Sequence, residues 1–313
     1  MPVPAGTVGA EPVPGHGVRG LGVLGRLRAG RRAVPALRHH RLRLHDPRPA
    51  DQSPRGRRPL EAGSEEPAVI SCVIPTRNRG DAFVRALDSC LAQTVDCEIV
   101  VSDHASTDGT REHVMDLDDD RVTYVRQDES INITWNWLLG FMASRGDLVK
   151  YVFDDDYLEP DCCETLAGLM DAGHQVAQCG ATFAWTGERV YDRWTPALPI
   201  PAAVRQGVLS VSPVTAMIRR DALLYSWGQM NRLSRRAFDS GVGPNVLINY
   251  ATTAASPELM AYTPRVLCHL DDLPDERKSL TRLLRETDPG TLSGCHDEAY
   301  SLLDTLPAYP GER

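Results

Sequence analysis

The sequence predicts an α/β fold in which a mostly parallel sheet is flanked by helices. Two observations carry this prediction: buried-type strands alternate with segments of helical spacing, and polar turns follow the strands directly. Strands that alternate with helices are typical of parallel βαβ units with right-handed crossovers.

The first half of the pattern starts at residue 69, where the composition changes abruptly. Residues 69–75 predict a strand that ends at Pro75 and the polar turn 76–80. Apolar positions at helical spacing follow, and strands are then predicted at 98–102, 121–126 and 148–153. A short helix separates the second and third strands, and a helix with the stripe Ile133, Trp137 and Phe141 precedes the fourth.

The second half is less regular. A helix is predicted from Pro160 to about residue 172, stopped by Gly173, and a strand over 175–184. Residues 185–215 are Pro-rich and irregular, which indicates a loop-heavy, acceptor-binding region. Helical character returns at 217–236, at 245–254 and from about 276 to 305.

Composition and charge exclude several classes of protein. None of the apolar stretches among the 313 residues reaches the roughly 18–20 positions that span a bilayer, so a soluble protein without a transmembrane segment is expected. The formal net charge is −8, although residues 1–66 hold 12 arginines against 6 acidic residues. An acidic body argues against nucleic acid as a partner.

Three segments are predicted along the chain. Residues 1–66, with 9 prolines and 10 glycines, form a disordered Arg/Pro/Gly-rich tail. Residues 67–275 form the α/β domain, and residues 276–313 a C-terminal helical extension. The 8 cysteines show no CxxC pairing and no zinc-ligand spacing, so we interpret them as thiols of a reducing cytoplasm, with Cys72 and Cys179 packing in apolar runs.

Three consecutive aspartates, Asp154, Asp155 and Asp156, follow the fourth strand and are the strongest functional signal. Like charges there repel unless a cation neutralises them, and ligands of open α/β sheets bind at the carboxyl ends of strands. A divalent metal that carries a diphosphate would account for both points. The alternative is a solvated acidic loop.

Two other strand ends offer polar side chains. Thr76 and Arg77 follow the first strand, and Asp103 follows the second. An arginine can meet a phosphate or stack on a base, and a carboxylate can accept hydrogen bonds from a base or a ribose. Ser106 through Asp108 are interpreted as turn and helix-cap residues.

Three motifs in order resemble those of family-two glycosyltransferases. They are residues 74–79 (IPTRNR), residues 101–110 (VSDHASTDGT) and residues 153–156 (FDDD) followed by Pro160. The resemblance covers about 67–185 well and weakens towards about 280. It implies the GT-A fold, which is Rossmann-like, and a nucleotide-diphospho-sugar as the donor, with a small molecule or a glycan as the acceptor.

The resemblance also implies roles for individual positions. Thr76 and Arg77 would line the nucleotide pocket, Asp103 would contact the base or its ribose, and Asp154 would face the ribose and donor sugar. Asp155, with Asp156 alongside, would form the DXD-type metal site. Hard oxygen ligands suit Mg²⁺ or Mn²⁺, which would stabilise the departing diphosphate as a Lewis acid.

Family-two enzymes invert the anomeric centre and need a carboxylate that takes the proton of the acceptor hydroxyl. In the corresponding stretch, residues 238–245, Asn245 stands where an acidic residue is usual, and an amide cannot act as a base. Asp239, on the same predicted loop, is the substitute candidate, and Asn245 is expected to orient the acceptor or to cap a helix.

Two further residues and two other functions remain open at this point. Asn136 is a candidate for the donor pocket, and His269 a candidate metal ligand, with a structural histidine as the alternative. A nucleotidyltransferase would also use strand-end carboxylates, but residues 76–80 offer only one glycine for a phosphate loop. The amide of Asn245 leaves open a non-catalytic nucleotide-sugar or glycan-binding relative.

Overall fold

The computed structural model describes residues 68–170, 173–270 and 285–311, all within one compact unit. The predicted tail over residues 1–66 lies outside the described residues, as does the beginning of the predicted C-terminal extension. The boundaries of the predicted segments therefore stay predictions.

Strands and helices alternate through the first half of the described chain, as predicted. The strands are β1 (Ile70–Thr76), β2 (Cys97–Asp103), β3 (Val122–Arg126), β4 (Leu148–Tyr151), β5 (Tyr157–Leu158), β6 (Val176–Phe183), β7 (Arg189–Val190), β8 (Ala216–Arg219) and β9 (Met260–Leu270). The helices are α1 (Asp81–Leu91), α2 (Thr110–Asp116), α3 (Ile133–Ala143), α4 (Cys162–Gly168), α5 (Ile200–Arg205), α6 (Arg220–Gln229), α7 (Arg235–Asp239), α8 (Val242–Tyr250) and α9 (Pro289–Leu303). Short 3₁₀ turns lie at Pro213–Thr215, Met230–Arg232 and Pro257–Leu259.

All described strands join one sheet in the order β3-β2-β1-β4-β8-β6-β9-β5, with β7 paired to β6. The half made of β3, β2, β1 and β4 is parallel, which confirms the prediction where the strand-end motifs lie. Because these strands are in register, Thr76 is opposite Asp103, and Asp103 is opposite Arg126. The polar residues that follow neighbouring strands therefore meet at one edge of the sheet.

The sheet separates two apolar cores, since alternate side chains of a strand point to opposite faces. Val73 and Tyr151 belong to the first core, which also receives apolar side chains of α3, α6, α8 and α9. Cys72 and Ile74 belong to the second core, which receives those of α1 and α4. The helices that reach the functional site described below all pack on the first core.

Helix α3 begins and packs for identifiable reasons. Asn132 caps its N-terminus, because the side-chain oxygen accepts a hydrogen bond from the backbone N–H of Thr134 at 2.8 Å. Farther along, Gly140 lets the helix lie close to the sheet, where an added Cβ would stand 2.7 Å from Cγ1 of Val73. The absence of a side chain at Gly140 thus sets the distance between α3 and strands β1 and β2.

The structure corrects four details of the predicted elements. Residues 217–219, predicted as helical, belong to β8, because Met217 and Ile218 are buried and Ile218 pairs with both β4 and β6. The irregular stretch 185–215 contains β7 and α5, and the predicted loop after the aspartates contains β5. Strand β4 ends at Tyr151, so two residues separate it from the first aspartate.

Candidate active site

A cavity of about 840 Å³ is lined by the loops that follow β1 and β4 and by the first turns of α3 and α8. Parts of residues 183–191 and 204–212 and the helix α9 complete its walls. Eight of the ten sequence-predicted site residues line it: Thr76, Arg77, Asn136, Asp154, Asp155, Asp156, Asp239 and Asn245. Asp103 and His269 are not among the described lining residues.

The three aspartates have different environments although they are adjacent in sequence. Asp154 is only 8% exposed, and its carboxylate accepts hydrogen bonds from the backbone N–H of Arg77 at 3.0 Å and from Nε of Arg79 at 3.3 Å. Burial raises the pKa of the Asp154 carboxyl, and the Arg79 guanidinium opposes this rise. Asp155 is half-buried and Asp156 is buried. All three aspartates line the cavity, although their burial differs.

The loop after β1 supplies positive charge. Arg77 and Arg79 both line the cavity, and Nη1 of Arg77 donates a hydrogen bond to Oγ of Ser130 at 2.6 Å. His104 lies beside them, with Nε2 3.3 Å from the same hydroxyl. Burial lowers the pKa of His104, and the Arg77 guanidinium lowers it further. Two arginines in the cavity that holds the triad give it a site for an anion such as a diphosphate.

Asp103 lies beneath the cavity, and its side chain is fully buried. Its carboxylate accepts hydrogen bonds from the backbone N–H of Ser106 at 2.8 Å, from the hydroxyl of Tyr124 and from the guanidinium of Arg126. Arg126 in turn donates to the backbone carbonyl of Ser106. In this arrangement Asp103 orders the loop after β2, and its predicted contact with a base or ribose stays a prediction.

The side-chain amide of Asn136 is hydrogen-bonded to strand β2 of the sheet. Nδ2 donates to the backbone carbonyl of Ser102 at 2.9 Å, and Oδ1 accepts from the Ser102 hydroxyl at 2.9 Å. The residue lines the cavity, but this pair of bonds fastens α3 to β2. The geometry therefore gives Asn136 a positioning function in the cavity wall.

Asp239 and Asn245 lie together at the junction of α7 and α8. The Asp239 carboxylate is engaged on both oxygens, by Nδ2 of Asn132 at 2.8 Å and by Nε of Arg235 at 3.2 Å. Asn245 differs, because its Oδ1 is buried and has no hydrogen-bond partner among the described residues. A buried carbonyl oxygen without a donor is costly unless a ligand or water supplies one. Asn245 is thus suited to receive a hydroxyl group in the cavity.

His269 lies on β9, and its partners are residues outside the aspartate triad. Its Nδ1 is 2.7 Å from Oγ1 of Thr182, its Nε2 is 2.7 Å from Oε1 of Glu159, and its ring stacks on Tyr157 at 4.4 Å. Both nitrogens would have to give up these partners to bind a metal with the triad. This environment matches the structural alternative, so we leave His269 out of the metal site proposed below.

Helix α9 supplies cavity residues that the sequence reasoning missed. His296 and Tyr300 both line the cavity, and their rings stack with centroids 5.5 Å apart. The available signal was their spacing of four residues, which places two ring side chains on one helix face. Arg79 was also missed as a site residue, although it follows β1 in the same loop as Arg77.

A separate group of possible metal ligands lies in the second core, away from the cavity. The sulfur atoms of Cys72, Cys97 and Cys163 lie within 4.8 Å of one another, and all three residues are buried. Sequence spacing did not indicate this cluster, because the three residues come from β1, β2 and α4. All 8 cysteines are free and buried, and Cys72 and Cys179 lie in the apolar core, as predicted.

Comparisons with known proteins agree on the family. The family model for glycosyl transferase family 2 matches residues 71–225. The succinoglycan biosynthesis protein ExoO of Rhizobium meliloti (strain 1021) is 33% identical over 110 residues, which are 34% of this chain and 32% of that protein. The GalNAc(5)-diNAcBac-PP-undecaprenol beta-1,3-glucosyltransferase of Campylobacter jejuni (strain NCTC 11168) is 33% identical over 109 residues, 34% of this chain and 35% of that protein. The matches thus span about a third of the length of these curated relatives.

Among solved structures, the crystal structure of S. aureus TarS 1-349 resembles this chain with a TM-score of 0.50 at 16% identity. The similarity covers 74% of this chain and 70% of that one. At this identity the likeness establishes the fold, which is GT-A, as the motifs predicted. In the described part of the chain, no helix combines the length and the apolar character needed to cross a bilayer.

Proposed function

Because this chain belongs to glycosyl transferase family 2, we propose that it is a metal-dependent, inverting enzyme that moves a sugar from a nucleoside-diphosphate sugar to an acceptor hydroxyl. The observation that carries this proposal is the cavity in which the aspartate triad lies with Arg77 and Arg79. Acidic and basic side chains side by side match a ligand in which a cation accompanies a diphosphate.

Asp155 and Asp156 are the residues that would hold Mg²⁺ or Mn²⁺. Both line the cavity, and carboxylate oxygens are the ligands that these hard cations prefer. The Asp154 carboxylate is bonded to Arg79 and to the backbone of Arg77, and we assign it to the donor side of the site. When bound, the ion would supply Lewis-acid stabilisation of the leaving diphosphate.

The protein's own groups would position the donor. Arg77 and Arg79 would bind phosphate oxygens, with Arg77 held by Ser130. Thr76, buried at the end of β1, would line the nucleotide pocket, and Asp154 would face the ribose and sugar. Asp103 enters this proposal through the loop that it orders, since its side chain is fully buried.

In the transfer itself, the acceptor oxygen would form a bond to the anomeric carbon while the bond from that carbon to the diphosphate oxygen breaks. The electron pair of the broken bond goes to the diphosphate, and the hydroxyl proton goes to a base of the protein. The unpartnered Oδ1 of Asn245 would orient the acceptor by accepting a hydrogen bond from another donor group on it, which leaves the proton of the reacting hydroxyl for the base. Asp239 is the sequence-predicted base, although both its oxygens are engaged.

We also propose a reducing cytoplasm as the compartment, because all 8 cysteines are free thiols.

One observation favours a second, non-catalytic function. Asn245 cannot deprotonate a hydroxyl, which suits a relative that binds nucleotide-sugars without turnover. Mn²⁺-dependent binding of a nucleoside diphosphate, with no turnover of any donor or acceptor offered, would favour that second function.

The metal proposal is tested by Asp155→Asn. We expect wild-type protein to bind UDP or GDP more tightly with Mn²⁺ than with EDTA in isothermal titration calorimetry. The variant should lose most of this metal-dependent gain, because an amide is a weaker ligand than a carboxylate for a hard cation. Metal-dependent release of UDP or GDP from UDP-glucose, UDP-N-acetylglucosamine or GDP-mannose should fall in parallel.

Asp120→Asn is the matched control, since Asp120 is exposed and does not line the cavity. It makes the same chemical change and should leave both readouts at the wild-type level. Full metal-dependent binding and turnover by Asp155→Asn, with every nucleotide-sugar offered, would contradict the assignment of Asp155.

A further inference from the structure

Helix α9 is held firmly against the part of the protein that carries Asn245. In its second half, Glu298 accepts a hydrogen bond from the Ser234 hydroxyl at 2.7 Å. Near its end, Arg205 donates to the backbone carbonyl of Tyr300 at 2.8 Å and forms an ion pair with Asp304. Its buried side chains share the first core with those of α8. The face of α9 that lines the cavity is therefore fixed relative to α8.

His296 is placed on this face with its ring nitrogens uncommitted. It lines the cavity that also holds Asn245 and the triad, and its ring stacks on Tyr300 at an interplanar angle of 6°. Among the described residues, neither imidazole nitrogen of His296 has a hydrogen-bond partner. By contrast, both carboxylate oxygens of Asp239 accept hydrogen bonds, from Asn132 and from Arg235.

We propose that His296 is the base that accepts the proton of the reacting acceptor hydroxyl, in the cavity that it shares with Asn245. This inference rests on the proposed glycosyl transfer and replaces Asp239 in that step. The acceptor oxygen bonds to the anomeric carbon, the diphosphate leaves with the electron pair of the broken bond, and the proton moves to an imidazole nitrogen. A neutral imidazole can do what the amide of Asn245 cannot, because it has a lone pair that accepts a proton near neutral pH.

The surroundings of His296 keep it in the neutral form. Burial lowers the pKa of its imidazole, the nearby Asp297 carboxylate raises it, and Arg285 lowers it. Tyr300, which stacks on the ring, has a pKa raised by burial and stays uncharged in the same range. The working form of a base is the unprotonated one, so the reaction should slow as the pH falls through a pKa below 6.5 and level off above it.

The test uses donor hydrolysis, in which water takes the place of the acceptor, so the acceptor need not be known. Release of UDP or GDP from UDP-glucose, UDP-N-acetylglucosamine or GDP-mannose with Mn²⁺ is measured as a function of pH. We expect His296→Gln to reduce kcat by about 10²–10⁴-fold and to remove the acidic limb of the profile. Calorimetric affinity for UDP or GDP with Mn²⁺ should not change, because His296 acts on the acceptor side.

Two other variants make the result specific. His296→Ala should regain part of its activity when free imidazole is added, which a merely structural role would not produce. His113→Gln removes another half-buried histidine, one that packs on Phe83 outside the cavity, and should keep the wild-type rate and pH profile. Thermal unfolding of each variant shows whether it is folded.

Asp239→Asn decides between the two bases. If Asp239→Asn shows the large loss and His296→Gln retains both the wild-type rate and its acidic limb, the assignment of His296 is wrong. A wild-type protein that hydrolyses none of the donors overturns both this inference and the proposed function. An active wild type with an active, folded His296→Gln overturns only the inference.

Discussion

Asp103 shows, at the scale of one residue, how a strand-end carboxylate can order the loop that follows its strand. The sequence placed it at the end of β2, and the structure puts it there. What the sequence could not show is that Tyr124, Arg126 and the backbone of Ser106 all turn towards it. A fully buried carboxylate persists only when such partners compensate for lost hydration.

Removing this carboxylate should therefore destabilise the protein. For Asp103→Ala we expect the free energy of unfolding to fall by about 3 kcal/mol, because Arg126 and the N–H of Ser106 lose their partner. Urea unfolding monitored by circular dichroism measures this loss. Calorimetry should also show weaker binding of UDP or GDP with Mn²⁺, because the loop after β2 becomes less ordered.

Asp119→Ala is the comparison for this variant. Asp119 pairs with Arg121 at 2.8 Å in a partly exposed position, and such pairs contribute about 0–1 kcal/mol. Equal losses in the two variants would show that Asp103 does not hold its loop as described.

The aspartate triad shows that adjacent residues of one type can have different surroundings. Asp154, Asp155 and Asp156 are chemically identical, but Asp154 and Asp156 are buried and Asp155 is half-buried. The Asp154 carboxylate is bonded to Arg79 and to the backbone of Arg77. The different functions that we propose for them follow from these neighbours and not from residue type.

At the scale of one element, α3 joins the sheet to the cavity. Gly140 lets it approach β1 and β2 closely, and Asn136, one turn earlier, bonds to Ser102 and lines the cavity. The helix also starts at the Asn132 cap, whose amide reaches Asp239. A small displacement of α3 would therefore change the cavity at several points.

Gly140→Ala tests this coupling. Alanine favours helix, but its Cβ would stand 2.7 Å from Cγ1 of Val73 and 3.0 Å from Cβ of Ser102. We expect overpacking to dominate, with a loss of about 1–3 kcal/mol in the free energy of unfolding. Donor hydrolysis should fall as well, because the Asn136–Ser102 bonds are disturbed.

Gly294→Ala is the matched substitution within α9. Gly294 is an exposed helix position, and its Cβ would meet nothing within 4 Å. The intrinsic preference of alanine should raise the free energy of unfolding by about 0.5–1 kcal/mol. If both substitutions stabilised the protein, close packing of α3 on the sheet would be refuted.

At the scale of the whole molecule, the two cores support different groups of helices. The first core contains the apolar faces of α3, α8 and α9, which carry Asn136, Asn245 and His296. The second core contains α1 and α4, and few of the described residues that line the cavity belong to it: Leu270, with Phe183 and Tyr191 packed against it. Equal damage to the two cores should therefore have unequal effects on activity.

Leu303→Ala and Leu166→Ala compare the two cores directly. Leu303 is buried at the end of α9 in the first core, and Leu166 is buried in α4 in the second. Each should lower the free energy of unfolding by about 2–5 kcal/mol. At a temperature where both are folded, donor hydrolysis should fall only in Leu303→Ala, because α9 positions His296. A comparable fall in Leu166→Ala would show that the cores are not separate in function.

The first four strands and the helices between them were predictable because their signals are local. Apolar runs, Pro75 and the polar turns identify these elements within windows of a few residues. Parallel strands in register then bring their carboxyl ends together, so Thr76, Arg77 and the triad were found as neighbours. Strand β8 was missed because four residues give too short a pattern.

The sequence by itself determined the family motifs, the parallel half of the sheet and the acidic and basic residues that follow its strands. Only the tertiary structure decided which of these side chains remain available in the cavity. Hydrogen bonds to other residues engage three of the predicted side chains: Asp103 with Ser106, Asn136 with Ser102, and Asp239 with Arg235. Helix α9 brings His296, which is distant in sequence, to the cavity. The physical reason is that hydrogen-bond partners and packing between distant segments leave no periodic signal in the sequence, whereas strands and turns do.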